Sequence, residues 1–253
     1  MKGIKLSANI DVINPEKRKK ILLVAANPSV SRQTGWPIGF WAAELTHPYF
    51  EFTEKGYEIE IASPEGGKLE LDGFSDPSHE SGYSSHDLIS RGFLNSPNHS
   101  KLLDNTKSVS EVKIKNYDAL FLVGGQSPMY TFIDNLKLHK FVADFYEADK
   151  VVAIVCHATC VLLKTKLSDG KLLVDGKTWT GFANSEEQFA DNFVGMKIQP
   201  FWIEDEAKKI PSTNFIVNGM FKPFAVRDGR LITGQQQYSG GAAAKLVIEA
   251  LGV

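Results

Sequence analysis

A cysteine followed at once by a histidine, Cys156-His157, is the pair in this chain best suited to covalent chemistry. The thiolate of cysteine is a strong nucleophile, and imidazole exchanges protons near neutral pH. Ahead of the pair stand five apolar residues, Val151 to Val155, four of them β-branched. Behind it comes Ala158-Thr159 and an apolar stretch predicted to be helical from about Ala158 to Lys166. A buried strand that turns sharply into a helix throws its corner side chain clear of the sheet. That is the geometry of a nucleophile elbow, with sulfur in place of oxygen. The free N–H groups and the dipole at such a helix start favour thiolate, so the thiol is expected below its ordinary pKa. The plainer alternative is a small buried core residue, the usual fate of a free cysteine. Against it stand the adjoining His157 and the glycine pair Gly124-Gly125, which ends another apolar run. Cys160, among Val161, Leu162 and Leu163, reads as core, and a bond from it to Cys156 would distort the helix start.

The elements that must position this corner alternate strand and helix. Ile21 to Ala26 is a continuous apolar run, the pattern of a strand buried on both faces of a parallel sheet. Apolar residues then recur at helical spacing from Ile38 to Glu54, ending at Gly56, and Tyr57 to Ala62 forms a second strand. This opening is a βαβ unit. Residues 65–110 break the rhythm with Gly, Pro, Ser, His and Asn, and read as an inserted cap or functional loop. The alternation resumes with the strand Asp118 to Val123, a helix over Thr131 to Glu147 and the strand Val151 to Val155. Shorter elements follow, including the strand Thr178 to Phe182, a helix over Glu186 to Asn192, a hairpin turn at Asp228-Gly229 and a last helix, Gly240 to Leu251, capped by Ser239. In sheets of this class ligands gather beyond the carboxyl ends of the strands. Asn27 to Gly39, Gly124 to Ser127 and Cys156-His157 occupy that position.

Composition bounds the function. The chain has 253 residues, 43% apolar and 23% charged, with a formal net charge of -2. It can bury a sizeable core without disulfide or metal staples, and it has no electrostatic footprint for nucleic acid or anionic lipid. The basic cluster Lys17 to Lys20 abuts a strand and reads as a solvated strand entrance. Met1 to Arg18 lacks the apolar core of a signal peptide, and the apolar runs are too short to span a bilayer. Two cysteines make no disulfide framework. A cytoplasmic protein with free thiols is expected.

Taken in order, Gly35 to Phe50 with its run Glu44-Leu-Thr-His-Pro48, Ser63-Pro-Glu-Gly-Gly67, Ser75-Asp-Pro77, Leu122-Val-Gly-Gly125, Ala153-Ile-Val-Cys-His157 and Thr180-Gly-Phe-Ala-Asn-Ser-Glu-Glu187 resemble the ThiJ/PfpI superfamily, relatives of the class I glutamine amidotransferases. The likeness covers about residues 20–250. The insertion and the Glu186-Glu187 block are similar to the branch of glutathione-independent glyoxalase III enzymes and stress-induced holding chaperones.

The resemblance implies an α/β flavodoxin-like three-layer sandwich over 1–253, with a mostly parallel sheet and a small cap inserted at about 65–110. It implies that Cys156 is the nucleophile, that Glu44 is a buried carboxyl that moves protons beside the sulfur, that His157 is the triad histidine and that Glu187 orients it. Glu186 competes for the last role. Backbone N–H groups of Gly125 and His157 would form an oxyanion hole. The implied activity needs no cofactor and converts a small carbonyl compound, methylglyoxal, to lactate in a homodimer. A holding chaperone, or a cysteine hydrolase of an amide, isonitrile or glycated adduct, is the alternative. The chain departs from many relatives at Gln126-Ser127-Pro128 and Ala158-Thr159. These positions are expected at the pocket mouth, where they would alter the substrate. Trp36 and Trp41 read equally as pocket wall or as core. His79, His86 and His99 have no zinc-site spacing, so no metal is expected.

Overall fold

A computed structural model of the chain describes residues 18–252. The expectations placed on Met1 to Lys17 lie outside the described residues. Seven strands make the central sheet: β1 (Lys20–Val24), β2 (Glu58–Ser63), β3 (Lys107–Ser108), β4 (Ala119–Leu122), β5 (Val151–Val155), β6 (Ala225–Asp228) and β7 (Leu231–Gly234). Their order across the sheet is β6-β7-β5-β4-β1-β2-β3. Every neighbouring pair is parallel except β6 with β7, a hairpin that turns at Gly229-Arg230. The apolar runs of β1, β4 and β5 are buried throughout from Ile21 onward because each of these strands has neighbours on both edges and helices over its faces.

The longer helices are α1 (Ala42–Glu54), α2 (Leu88–Asn95), α3 (Leu136–Glu147), α4 (Asn184–Val194) and α5 (Gly240–Ala250), and of these α1, α3 and α5 flank the sheet to complete a three-layer flavodoxin-like sandwich. α1 and α5 pack on each other, α5 also on β5 and β7, and α3 on β4 and β5. The chain leaves β1 toward β2 on one side and later returns to β4 on the other. The crevice between β1 and β4 is therefore a topological switch point, where ligands bind in open α/β sheets. Among the described residues, no helix is long and apolar enough to cross a membrane.

Several boundaries differ from the sequence pattern for local reasons. α1 starts at Ala42 and not at Ile38, because Pro37–Ile38 pairs with Ser29–Val30 and Phe40 bridges Leu71. The helix predicted over Thr131 to Glu147 is two pieces. Asn135 interrupts it by accepting the N–H of Leu138 at 3.0 Å, which starts α3. Ser239 precedes α5, but its hydroxyl accepts from the N–H groups of Phe224 and Gln236 instead of capping that helix. The segment 65–110 carries α2, short helical turns and the edge strand β3, and it buries Leu69, Phe93, Leu103 and Val109 against the main core.

Candidate active site

In β4 and β5, Leu122 pairs with Ile154, so the two strands end level and Gly124 comes out beside Cys156. Val155 is still extended, while Cys156 has φ +55°, a left-handed conformation that costs a non-glycine residue about 1–3 kcal/mol. The sharp turn ends the strand and begins a 3₁₀ helix over Cys156–Leu163 at the cysteine itself, two residues before the predicted start. Packing fixes the neighbouring turn. A methyl group on Gly124 would sit 2.3 Å from Glu44 Oε2 and 2.7 Å from Cys156 Cβ, and one on Gly125 (φ +118°) would sit 2.5 Å from the Trp41 nitrogen. Only glycine fits either place.

The sulfur stands 3.4 Å from His157 Nδ1, and His157 Nε2 stands 3.1 Å from Glu187 Oε1. Phe182 stacks on the imidazole, ring centres 4.1 Å apart, and holds its plane. Glu187 lies in the first turn of α4 and is 1% exposed. Its neighbour Glu186 faces elsewhere. Glu186 accepts from the N–H groups of Phe221 and Ala183 and from Gln235 Nε2, so it ties three segments together and does not reach the imidazole. Burial disfavours the imidazolium, but Glu187 outweighs it and the His157 pKa is raised. Burial likewise raises Glu187, against the pull of His157.

Glu44, on the first turn of α1, is fully buried, and its Oε2 accepts the Gly124 N–H at 2.9 Å. Burial pushes its pKa up to about 8, so the carboxyl holds its proton near neutrality, beside the Cys156 thiol with which it interacts. The thiol itself departs from the sequence expectation. Burial and the Glu44 carboxyl push it well above its ordinary value, and the N–H groups of His157 and Gly125 pull it down by less. The electrostatic effect of the helix start is present, but the desolvation of a buried sulfur is larger. Repulsion from Glu44 is lifted whenever that carboxyl is protonated.

Asp72, in the inserted segment, is a member of this site that the sequence does not announce. It is 1% exposed and accepts the N–H groups of Gly39 at 2.9 Å and Gln126 at 2.7 Å. Two buried carboxyls thus hold the N–H groups on either side of Gly125 and leave the Gly125 N–H directed at the sulfur. Its signal was hidden, since Leu71-Asp72-Gly73 reads as a turn.

The profile of the DJ-1/PfpI family matches residues 38–250, a span that holds Glu44, the glycine pair, the elbow and Glu187. The chain belongs to the DJ-1/PfpI family. A relative from Schizosaccharomyces pombe, named probable glutathione-independent glyoxalase hsp3103, is 27% identical over 261 residues, covering 94% of this chain and 100% of the relative. The crystal structure of glyoxalase III from Candida albicans superposes with a TM-score of 0.75 at 26% identity, covering 92% of this chain and 97% of that one. A solved structure of the Francisella tularensis Rapid Encystment Protein gives a TM-score of 0.81 at 27% identity, covering 92% and 99%.

In this DJ-1/PfpI chain a cavity opens in front of Cys156, His157 and Glu187. Trp36 and Trp41 both line it, joined by Phe74 and Tyr83 from the inserted segment. Of the departures noted in the sequence, only Gln126 lines this cavity. Ser127, Pro128, Ala158 and Thr159 are buried in the packing behind it, which corrects their expected place at the mouth. Cys160 is core, and its thiol donates to the Pro128 carbonyl at 3.4 Å. Among the described residues, no group of three or more His, Cys, Asp and Glu side chains could hold a metal ion.

Proposed function

We propose that this DJ-1/PfpI protein is an enzyme that converts 2-oxoaldehydes such as methylglyoxal to the 2-hydroxy acid, a lyase-type reaction that uses Cys156 in place of a free thiol cosubstrate. The observation that carries the reading is the convergence on one thiol of a protonated buried carboxyl behind it and a Glu-held imidazole beside it, with the thiol and imidazole facing a cavity. The names of the relatives as glutathione-independent glyoxalases support it.

The protons balance on these residues. As the sulfur bonds the aldehyde carbon, His157 Nδ1 takes the thiol proton, and the imidazolium is held by Glu187. The oxyanion meets the N–H groups of Gly125 and His157 and is protonated by Glu44, giving a hemithioacetal. The Glu44 carboxylate then removes the proton from that carbon while His157 protonates the ketone oxygen, which yields an enediol. Glu44 returns its proton to the second carbon as His157 takes the one on the first oxygen, leaving a thioester. Glu44 finally deprotonates a water that attacks the thioester. The thiolate leaves and recovers its proton from His157. Substrate plus water becomes 2-hydroxy acid, and each residue ends as it began.

Methylglyoxal loss and lactate formation, measured on wild type and Cys156→Ala, test the reading. Turnover by the wild type should fall by at least about 10⁴-fold in the variant, as for removal of a nucleophile. Turnover that survives Cys156→Ala, or a wild type that hydrolyses small amides and leaves methylglyoxal intact, overturns it.

A further inference from the structure

The cavity before Cys156 is lined by more aromatic rings than a three-carbon substrate needs. Its aromatic rings form a continuous wall. Trp36 meets Phe74 with ring centres 6.0 Å apart, Phe74 meets Tyr83 at 6.1 Å, and Tyr83 meets Trp41 at 5.9 Å, all edge to face. Phe189 and Phe221 add a second such pair at 5.3 Å. Methylglyoxal offers one methyl group to these rings, which leaves most of the apolar surface wet.

An independent observation concerns Gln199. It lines the same cavity and is 2% exposed, yet its Oε1 has no hydrogen-bond partner. Gln126 Oε1, also on the cavity, is unpartnered too. A buried amide without a partner is costly, so such a group in a binding cavity is accounted for by a ligand that supplies the partner.

We infer that the preferred substrate is an aryl 2-oxoaldehyde whose ring seats against the Trp36–Phe74 wall, and that a hydrogen-bonding ring substituent meets the amide of Gln199. The inference rests on the 2-oxoaldehyde reading above and adds the substrate class. The reaction balances as before: aryl 2-oxoaldehyde plus water gives the aryl 2-hydroxy acid. The aldehyde carbon is oxidised and the ketone carbon reduced, with no outside oxidant or reductant.

The test compares kcat/KM for methylglyoxal, phenylglyoxal and 4-hydroxyphenylglyoxal on the whole chain. Phenylglyoxal should exceed methylglyoxal by roughly tenfold or more, in line with what apolar pockets discriminate. In Trp36→Leu and Phe74→Leu the phenylglyoxal-to-methylglyoxal ratio should fall about tenfold. In Gln199→Leu the advantage of 4-hydroxyphenylglyoxal over phenylglyoxal should disappear. Ratios within one variant are insensitive to how much of it folds. Wild type that handles methylglyoxal and phenylglyoxal equally well, or ratios that Trp36→Leu and Phe74→Leu leave unchanged, overturn the ring assignment while the 2-oxoaldehyde reading stands. A hydroxyl preference that survives Gln199→Leu removes Gln199 from it. Turnover of none of the three overturns both readings.

Discussion

Glu186 and Glu187 are consecutive, both buried in the first turn of α4, and yet their carboxyls serve different partners. Glu187 reaches His157, whereas Glu186 accepts three hydrogen bonds from Ala183, Phe221 and Gln235. The two substitutions should therefore separate. Glu187→Gln removes the charge that stabilises the imidazolium, and kcat/KM should fall about 100-fold, with little change in the urea midpoint. Glu186→Gln turns an acceptor into a donor facing donors, and stability should fall by about 1–3 kcal/mol with a much smaller effect on turnover. Steady-state kinetics beside urea unfolding distinguish them, and the opposite pattern would exchange their roles. At this scale the sequence was a good guide to which side chains meet, since Cys156, His157, Glu44 and Glu187 do converge. It misjudged the thiol. The pattern places a helix just after the cysteine, from about Ala158, but it does not show that Cys156 is 3% exposed, and burial is what decides its ionisation. Phe182 lies inside the Thr180 to Glu187 motif, and Asp72 in a turn, with no pattern to connect either to its partners 25 to 54 positions away.

The site is assembled where several elements meet. β4 and β5 end level, α1 brings Glu44 across their tips, and the inserted segment returns with Asp72 to hold Gln126. Gly124 is where these elements close on one another. In Gly124→Ala the new methyl group falls 2.3 Å from Glu44 Oε2, 2.7 Å from Cys156 Cβ and 2.7 Å from the Val155 carbonyl, two of them on rigid strand-end backbone or at its root. Overpacking of this kind should destabilise the fold by about 1–3 kcal/mol. Because the displaced atoms belong to the thiol and carboxyl proposed to react, kcat/KM should drop by about 100-fold or more. A folded Gly124→Ala protein with unchanged kcat/KM would show that the close approach of Glu44 to Cys156 is unnecessary. The strands were legible because burial on both faces writes an unbroken apolar run. The helix after Cys156 and the start of α1 were not. Their ends are set by pairing with segments distant in sequence, such as Phe40 with Leu71, which local periodicity does not carry.

Across the molecule, buried acids tilt the dependence of stability on pH. Burial raises Glu44 to about 8 and Asp72 to about 6, and it raises Glu186 and Glu187 as well. An acid whose folded pKa lies above its unfolded value binds its proton more tightly when folded. Its stabilising contribution is complete below the unfolded pKa and is lost as pH rises through the folded one. Glu60 and Asp87 act in the opposite sense. Partners hold both down to about 2 despite burial, so their contributions are present above the ordinary carboxyl range and are lost as pH falls toward that value. His139, lowered by burial, also gains with rising pH. Glu44→Gln isolates one group from this sum, since glutamine is neutral throughout and can still accept the Gly124 N–H. At about 1.4 kcal/mol per pH unit, the wild type should lose up to about 4 kcal/mol relative to the variant between about pH 5 and about pH 8. Urea unfolding of both proteins across that range checks the difference. Two parallel curves would mean that Glu44 ionises like an ordinary surface acid. It would then hold no proton at neutral pH to give to a hemithioacetal oxygen, and the proton relay proposed for this site would have lost its first donor.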